Sequence, residues 1–138
     1  MGEPFAHSLR VRYAECDVLG IVFNSRYLEY FDVTLTELWR AAIGGYQVML
    51  DRGLDVVVVE AQIRFLDSAR FDQELSLEME FAHLGNTSIV SRHRIGHDGR
   101  ALVEGTMVHV TVDRRTASKT PIPDWLRAAL SRWHVPDG

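Results

Sequence analysis

The chain has 138 residues, 46% apolar and 25% charged, with a formal net charge of −4 and one cysteine, Cys16. That length suits one domain over residues 1–138, and the composition is ordinary for a soluble globular protein. The acidic balance argues against a general nucleic-acid binder, no apolar run reaches the length of a membrane span, and a lone cysteine excludes an internal disulfide framework. The N-terminal MGEPFAHSLR has no signal-like apolar segment, so a cytoplasmic protein with neither a membrane nor a nucleic-acid partner is expected.

Residues 8–14 (SLRVRYA) alternate weakly and predict a first strand. The stretch ECDVLGIVFNSRY, Glu15 to Tyr27, follows, with Asp17 just ahead of an apolar run. A carboxylate in such surroundings is normally paired, hydrogen-bonded or used. From Arg26 to about Ala42 the spacing predicts a helix. Tyr27, Leu28, Tyr30, Phe31, Leu35, Leu38, Trp39 and Ala42 form its apolar face, and Arg26, Glu29, Asp32, Thr36, Glu37 and Arg40 its polar stripe. Asn24 or Ser25 serves as N-cap, and Gly44-Gly45 ends the helix.

Four strands are predicted next. In LDVVVVEAQIRFL, strict alternation puts Val57, Val59, Ala61, Ile63 and Phe65 on one face. ELSLEMEF alternates cleanly from Glu74, and TSIVSRHRI and RALVEGTMVHVTVD flank a hairpin turn at His97-Asp98-Gly99. Pro123 to Trp133 suits a short helix. Short links between strands imply antiparallel neighbours. The expected fold is α+β, one curved antiparallel sheet wrapped around one long helix.

Asp17, Gly20 and the helix start together offer what acyl hydrolysis needs. A carboxylate can attack a carbonyl or deprotonate water, and the first N–H groups of a helix can stabilise an oxyanion. By spacing alone, an Asp here is more often a turn or cap residue. His93 and His97 lie roughly 13 Å apart on a strand, so no metal follows, and no cofactor is expected. There is neither a Gly-x-Ser-x-Gly elbow nor a P-loop.

The run CDVLGIVFNSRYLEYFD resembles the signature of the 4-hydroxybenzoyl-CoA thioesterase family, a branch of the hotdog-fold thioesterases. Asp17, Gly20, Val22, Phe23 and Tyr27 occupy its motif positions. The resemblance implies a catalytic acid at Asp17 and oxyanion donors among Phe23, Asn24 and Ser25. Gly20, Tyr27 and Val58 would lie against substrate. It also implies acyl-CoA as the substrate and a homodimer with shared sites, paired again into a homotetramer. CoA phosphates call for basic residues, and Arg92 with Arg94, or Arg114, Arg115 and Lys119, are the candidates.

Asn24 stands where many relatives have His, and Ser68-Ala69-Arg70-Phe71-Asp72-Gln73 replaces their Pro-Ala-x-x-Gly-Asp loop. The SIVSRH stretch from Ser88 and the acid Asp32 resemble the 4-hydroxybenzoyl branch and favour an aromatic acyl group. The alternatives are a thioesterase acting on acyl carrier protein, a hotdog dehydratase and a non-catalytic acyl-CoA binding module.

Overall fold

The computed structural model describes residues 2–136. In chain order the elements are β1 (Phe5–Arg10), α1 (Arg26–Ile43), α2 (Tyr46–Asp51), β2 (Leu54–Phe65), β3 (Glu74–Leu84), β4 (Ser88–His97), β5 (Arg100–Asp113) and α3 (Asp124–Leu130). Single 3-10 turns lie at Tyr13–Glu15 and Ser131–Trp133. The strands form one five-stranded sheet in the order β1-β3-β4-β5-β2, and every pair is antiparallel.

Alternation explains the central strands. Leu75, Leu77, Met79 and Phe81 of β3 and Ile89, Ser91, His93 and Ile95 of β4 are buried on the helix side. The opposite face carries a cross-strand row of Glu78, Arg94, Glu104 and Arg64. The β4–β5 turn is as expected, with Asp98 (φ 51°) and Gly99 (φ 78°) both left-handed, the conformation a two-residue hairpin needs.

The helix α1 packs its aromatic face on this sheet. Phe31 stacks on the His93 ring with centroids 4.4 Å apart. It fits because position 105 is glycine: a Cβ there would come within 2.6 Å of the Phe31 ring. Leu28, assigned by periodicity to the apolar face, is instead 41% exposed. The helix ends at Gly44 (φ 95°), where the N–H groups of Gly44 and Gly45 reach back to Arg40 and Trp39 carbonyls.

Four expectations need correction. The first strand begins at Phe5 and stops at Arg10, because β3, its partner, begins at Glu74 opposite Arg10. The helical layer is not one helix alone. After β5 the chain returns across the sheet, and Ile122, Leu126, Leu130 and Trp133 join Leu38, Trp39 and Phe81 in a second core cluster, while Met49 of α2 is also buried there.

In β2 the strict alternation fails. A bulge between Val58 and Glu60 leaves Val59 as the extra residue. Residues directly opposite one another share a face. Val58 therefore stands with His109, and Ile63 and Phe65 with Gly105 and Val103, on the helix side, while Val57 points to the other face.

Finally, β2 and β3 are not neighbours. The eight residues 66–73 carry the chain from one edge of the sheet past β5 and β4 to β3. Eight extended residues reach about 26 Å, ample for three strand spacings of about 14 Å in all. A short link therefore does not force a hairpin here, and this crossing link becomes one wall of the site.

Candidate active site

Residues 15–23 form a closed loop between β1 and α1. The Phe23 N–H donates to the Glu15 carbonyl (3.0 Å), Cys16 and Val22 form a bridge, and the Asp17 N–H donates to the Ile21 carbonyl (2.9 Å). The loop closes in a tight turn, where the Gly20 N–H donates to the Asp17 carbonyl at 3.0 Å. Gly20 holds φ 78° with no atom within 4 Å of where a Cβ would sit, so the turn needs glycine for its backbone rather than for space.

The 66–73 link grips this loop from outside. The Val22 N–H donates to the Ala69 carbonyl (2.9 Å), Ile21 bridges Arg70, and the Phe71 N–H donates to the Gly20 carbonyl (3.1 Å). Ser68 to Gln73, set apart in the sequence only by departing from a motif, thus buttresses the Asp17 turn.

Asp17 Oδ1 accepts the Leu19 N–H at 2.8 Å, while Oδ2 has no partner among the described residues. The carboxylate is half-buried in the loop that runs into the start of α1. There the three expected donors separate. Phe23's N–H is occupied by Glu15, whereas the N–H groups of Asn24 and Ser25 make no hydrogen bond among the described residues. Ser25 takes the N-cap position, but its hydroxyl does not cap.

The remaining residues are distributed unevenly. Tyr27 is 3% exposed and its hydroxyl accepts the Ala69 N–H at 3.0 Å, so it belongs to the core rather than to a pocket wall. Val58 is half exposed on the helix side of the β2 edge. Arg92 and Arg94 point away from α1 and pair with Glu80 (3.1 Å) and Glu78 (3.3 Å). Arg114, Arg115 and Lys119 follow β5, where the Arg114 guanidinium donates to the Leu50 carbonyl. That is the far end of α1, about 27 Å of helix from Asp17. Burial and the neighbouring Glu15 and Asp17 push the Cys16 thiol up, away from the thiolate that a nucleophile needs.

Sequence reasoning missed Glu15. It is only 5% exposed, and its carboxylate accepts four donors: the Arg12 main-chain N–H (2.8 Å), Arg12 Nε (3.1 Å) and Nη2 (2.7 Å), and the Tyr30 hydroxyl (2.9 Å). Burial alone would raise this carboxyl, but the hydrogen bonds from Arg12 and Tyr30 outweigh it and hold it below its ordinary value. The available signal was weak, an Arg and a Glu three apart in a segment without periodicity. No group of three or more His, Cys, Asp and Glu among the described residues is arranged to hold a metal.

Residues 11–130 fit the family model described as thioesterase-like superfamily. The chain belongs to that superfamily. Among relatives of this thioesterase-like chain, the acyl-CoA thioesterase YbgC of Haemophilus influenzae is 27% identical over 91% of this chain and 93% of its own. The 1,4-dihydroxy-2-naphthoyl-CoA hydrolase of Synechococcus elongatus is 23% identical over 85% of this chain and 90% of its own. A crystal structure of the hypothetical protein TT1821 from Thermus thermophilus superimposes with a TM-score of 0.87 at 29% identity, covering 94% of this chain and 98% of that one. No helix among the described residues is long and apolar enough to cross a membrane.

Proposed function

We propose that the protein is an acyl-CoA thioesterase, converting a thioester and water into a carboxylic acid and free CoA thiol. The observation that carries this reading is the pairing of a half-free carboxylate, Asp17, with the unpaired N–H groups of Asn24 and Ser25 at the start of α1. The thioester carbonyl oxygen sits on those N–H groups, which stabilise the oxyanion as the carbonyl carbon becomes tetrahedral. Asp17 acts in one of two ways. As a base it takes a proton from the attacking water, and collapse of the tetrahedral intermediate breaks the C–S bond and releases the thiol. As a nucleophile it displaces the thiol to form a mixed anhydride, which water then hydrolyses.

The proposed substrate carries an aromatic acyl group or a short-to-medium one. The dihydroxynaphthoyl-CoA hydrolase among the relatives supports the aromatic choice, as does an acid at Asp32, exposed on α1.

The working unit is proposed as a homodimer. β2 is an edge strand with Val57, Val58, Val59 and Phe65 between 43% and 56% exposed, an apolar edge that a second copy would cover. Antiparallel pairing of two β2 strands lays the Leu54 end of one against the Phe65 end of the other. The partner's 113–119 loop then falls beside this chain's 66–73 link, which is how basic residues remote from Asp17 in one chain become neighbours of it. Two such dimers form the proposed homotetramer.

The test is thiol release from a panel of acyl-CoAs (4-hydroxybenzoyl, phenylacetyl, short and long aliphatic), with Asp17→Asn alongside. Turnover that vanishes in the variant supports the reading and identifies the acyl class. No release from any member would point to a carrier-protein thioester or to a binding module.

A further inference from the structure

Glu15 occupies an unusual position for a charged residue: two residues before Asp17, 5% exposed, and bonded to both sides of the loop that carries it. Its side chain reaches Tyr30 in the second turn of α1, and its carbonyl oxygen takes the N–H of Phe23, the residue immediately before Asn24. Tyr30 is itself 1% exposed and packs edge-on against Tyr27 with ring centroids 5.9 Å apart; Tyr27 in turn holds Ala69 of the crossing link. One residue therefore ties the start of the loop to the body of the helix, while its main chain ties the start of the loop to its end.

Two alternatives explain these facts less well. A purely stabilising role needs no charge, since an apolar side chain of similar size would fill the space at less cost than a desolvated carboxylate. A role as a proton-transfer group needs contact with solvent or substrate, and all four acceptor interactions of Glu15 are already taken by Arg12 and Tyr30.

We infer that Glu15 is a positioning residue for thioester hydrolysis, its Arg12- and Tyr30-bound carboxylate fixing the Asp17 turn against the N–H groups of Asn24 and Ser25. This rests on the acyl-CoA thioesterase reading above. The two halves of that site lie on different elements, Asp17 on a loop and the donors at a helix start, and reaction requires both to meet one carbonyl group. A displacement of about 1 Å between such groups can lower turnover by as much as 100-fold. Because the clamp orients groups that work mainly in the transition state, its loss lowers kcat and leaves KM nearly unchanged.

The experiment measures kcat and KM with the best acyl-CoA of the panel for wild type, Asp17→Asn, Glu15→Gln, Tyr30→Phe and the Glu15→Gln/Tyr30→Phe double variant. Each is normalised to its folded fraction by circular dichroism. Tyr30→Phe keeps the Arg12–Glu15 pair and so remains informative if Glu15→Gln folds poorly. The expected result is a kcat loss of about 10-fold or more in each single variant with KM within about twofold. The double variant should be no slower than the slower single one, since both cut the same connection. Wild-type kcat in a folded Glu15→Gln or Tyr30→Phe, or losses that multiply in the double variant, would overturn the inference. Wild type without activity on any acyl-CoA, or an active Asp17→Asn, would instead overturn the functional reading, so the two failures are distinct.

Discussion

The main-chain N–H of Ala69, a residue with no exposed surface, donates to the Tyr27 hydroxyl at 3.0 Å and so fastens the crossing link to the first turn of α1. Tyr27→Phe deletes the acceptor and keeps the ring. A buried N–H left without a partner costs about 1–3 kcal/mol. Urea unfolding should register a loss of that size; an unchanged midpoint would mean that the bond contributes nothing.

Gly20→Ala isolates the backbone of the Asp17 turn. There is open space for the methyl group, so the cost is that of holding φ 78° with a Cβ, about 1–2 kcal/mol. Gly20→Asn should cost less, because Asn tolerates the left-handed region better. Thermal unfolding of both variants checks the order, and if Ala were as stable as Asn the conformational account would be wrong.

Val58→Lys places a charge on the open β2 edge. If two copies share their sites across that edge, the variant elutes from size exclusion as a monomer and loses at least about 10-fold in thiol release, while its circular dichroism stays native. A monomer with full activity would refute the shared site.

His93 makes stability depend on pH. Burial, aided by the nearby His109, holds its imidazole down at about 3. In the unfolded chain the same group takes up a proton near pH 6.5. Stability from a neutral His93 is therefore fully present above pH 6.5 and is lost progressively as pH falls toward 3, at up to about 1.4 kcal/mol per pH unit. His93→Gln retains a partner for the Ser91 hydroxyl, 2.9 Å from His93 Nε2, and removes this titration. Urea midpoints between pH 7.5 and 5 should fall less steeply in the variant. Some slope remains, because burial lowers His109 as well.

What the sequence disclosed and what it concealed follow from range. The long helix, the β3 alternation and the Asp98-Gly99 turn are each dictated by residues within a few positions of one another. The bulge at Val59 is not, since it exists only in register with β5, some fifty residues later. The crossing of 66–73 was hidden for a related reason: its length fits a hairpin as well as a crossing, and only the pairing of β3 with β1 decides. The partners of Arg92 and Arg94 were hidden because Glu80 and Glu78 face them from another strand. Glu15 stayed invisible because its buried partner, Tyr30, is fifteen residues away on a different element.

The strand order has a consequence for how the chain is made. β1 and β2, the first two strands to leave the ribosome, are the two outer edges of the sheet, and neither touches the other. At the completion of Phe65 the nascent polypeptide holds both margins and the helix but none of the strands that join them. At about 5–20 residues per second, the interval until Asp113 emerges lasts several seconds. Throughout it, the aromatic side of α1 lacks the completed sheet that covers it. Tyr30, Phe31, Leu38 and Trp39 are then exposed to whatever binds apolar segments during translation, and a pause anywhere between codons 65 and 113 prolongs that exposure.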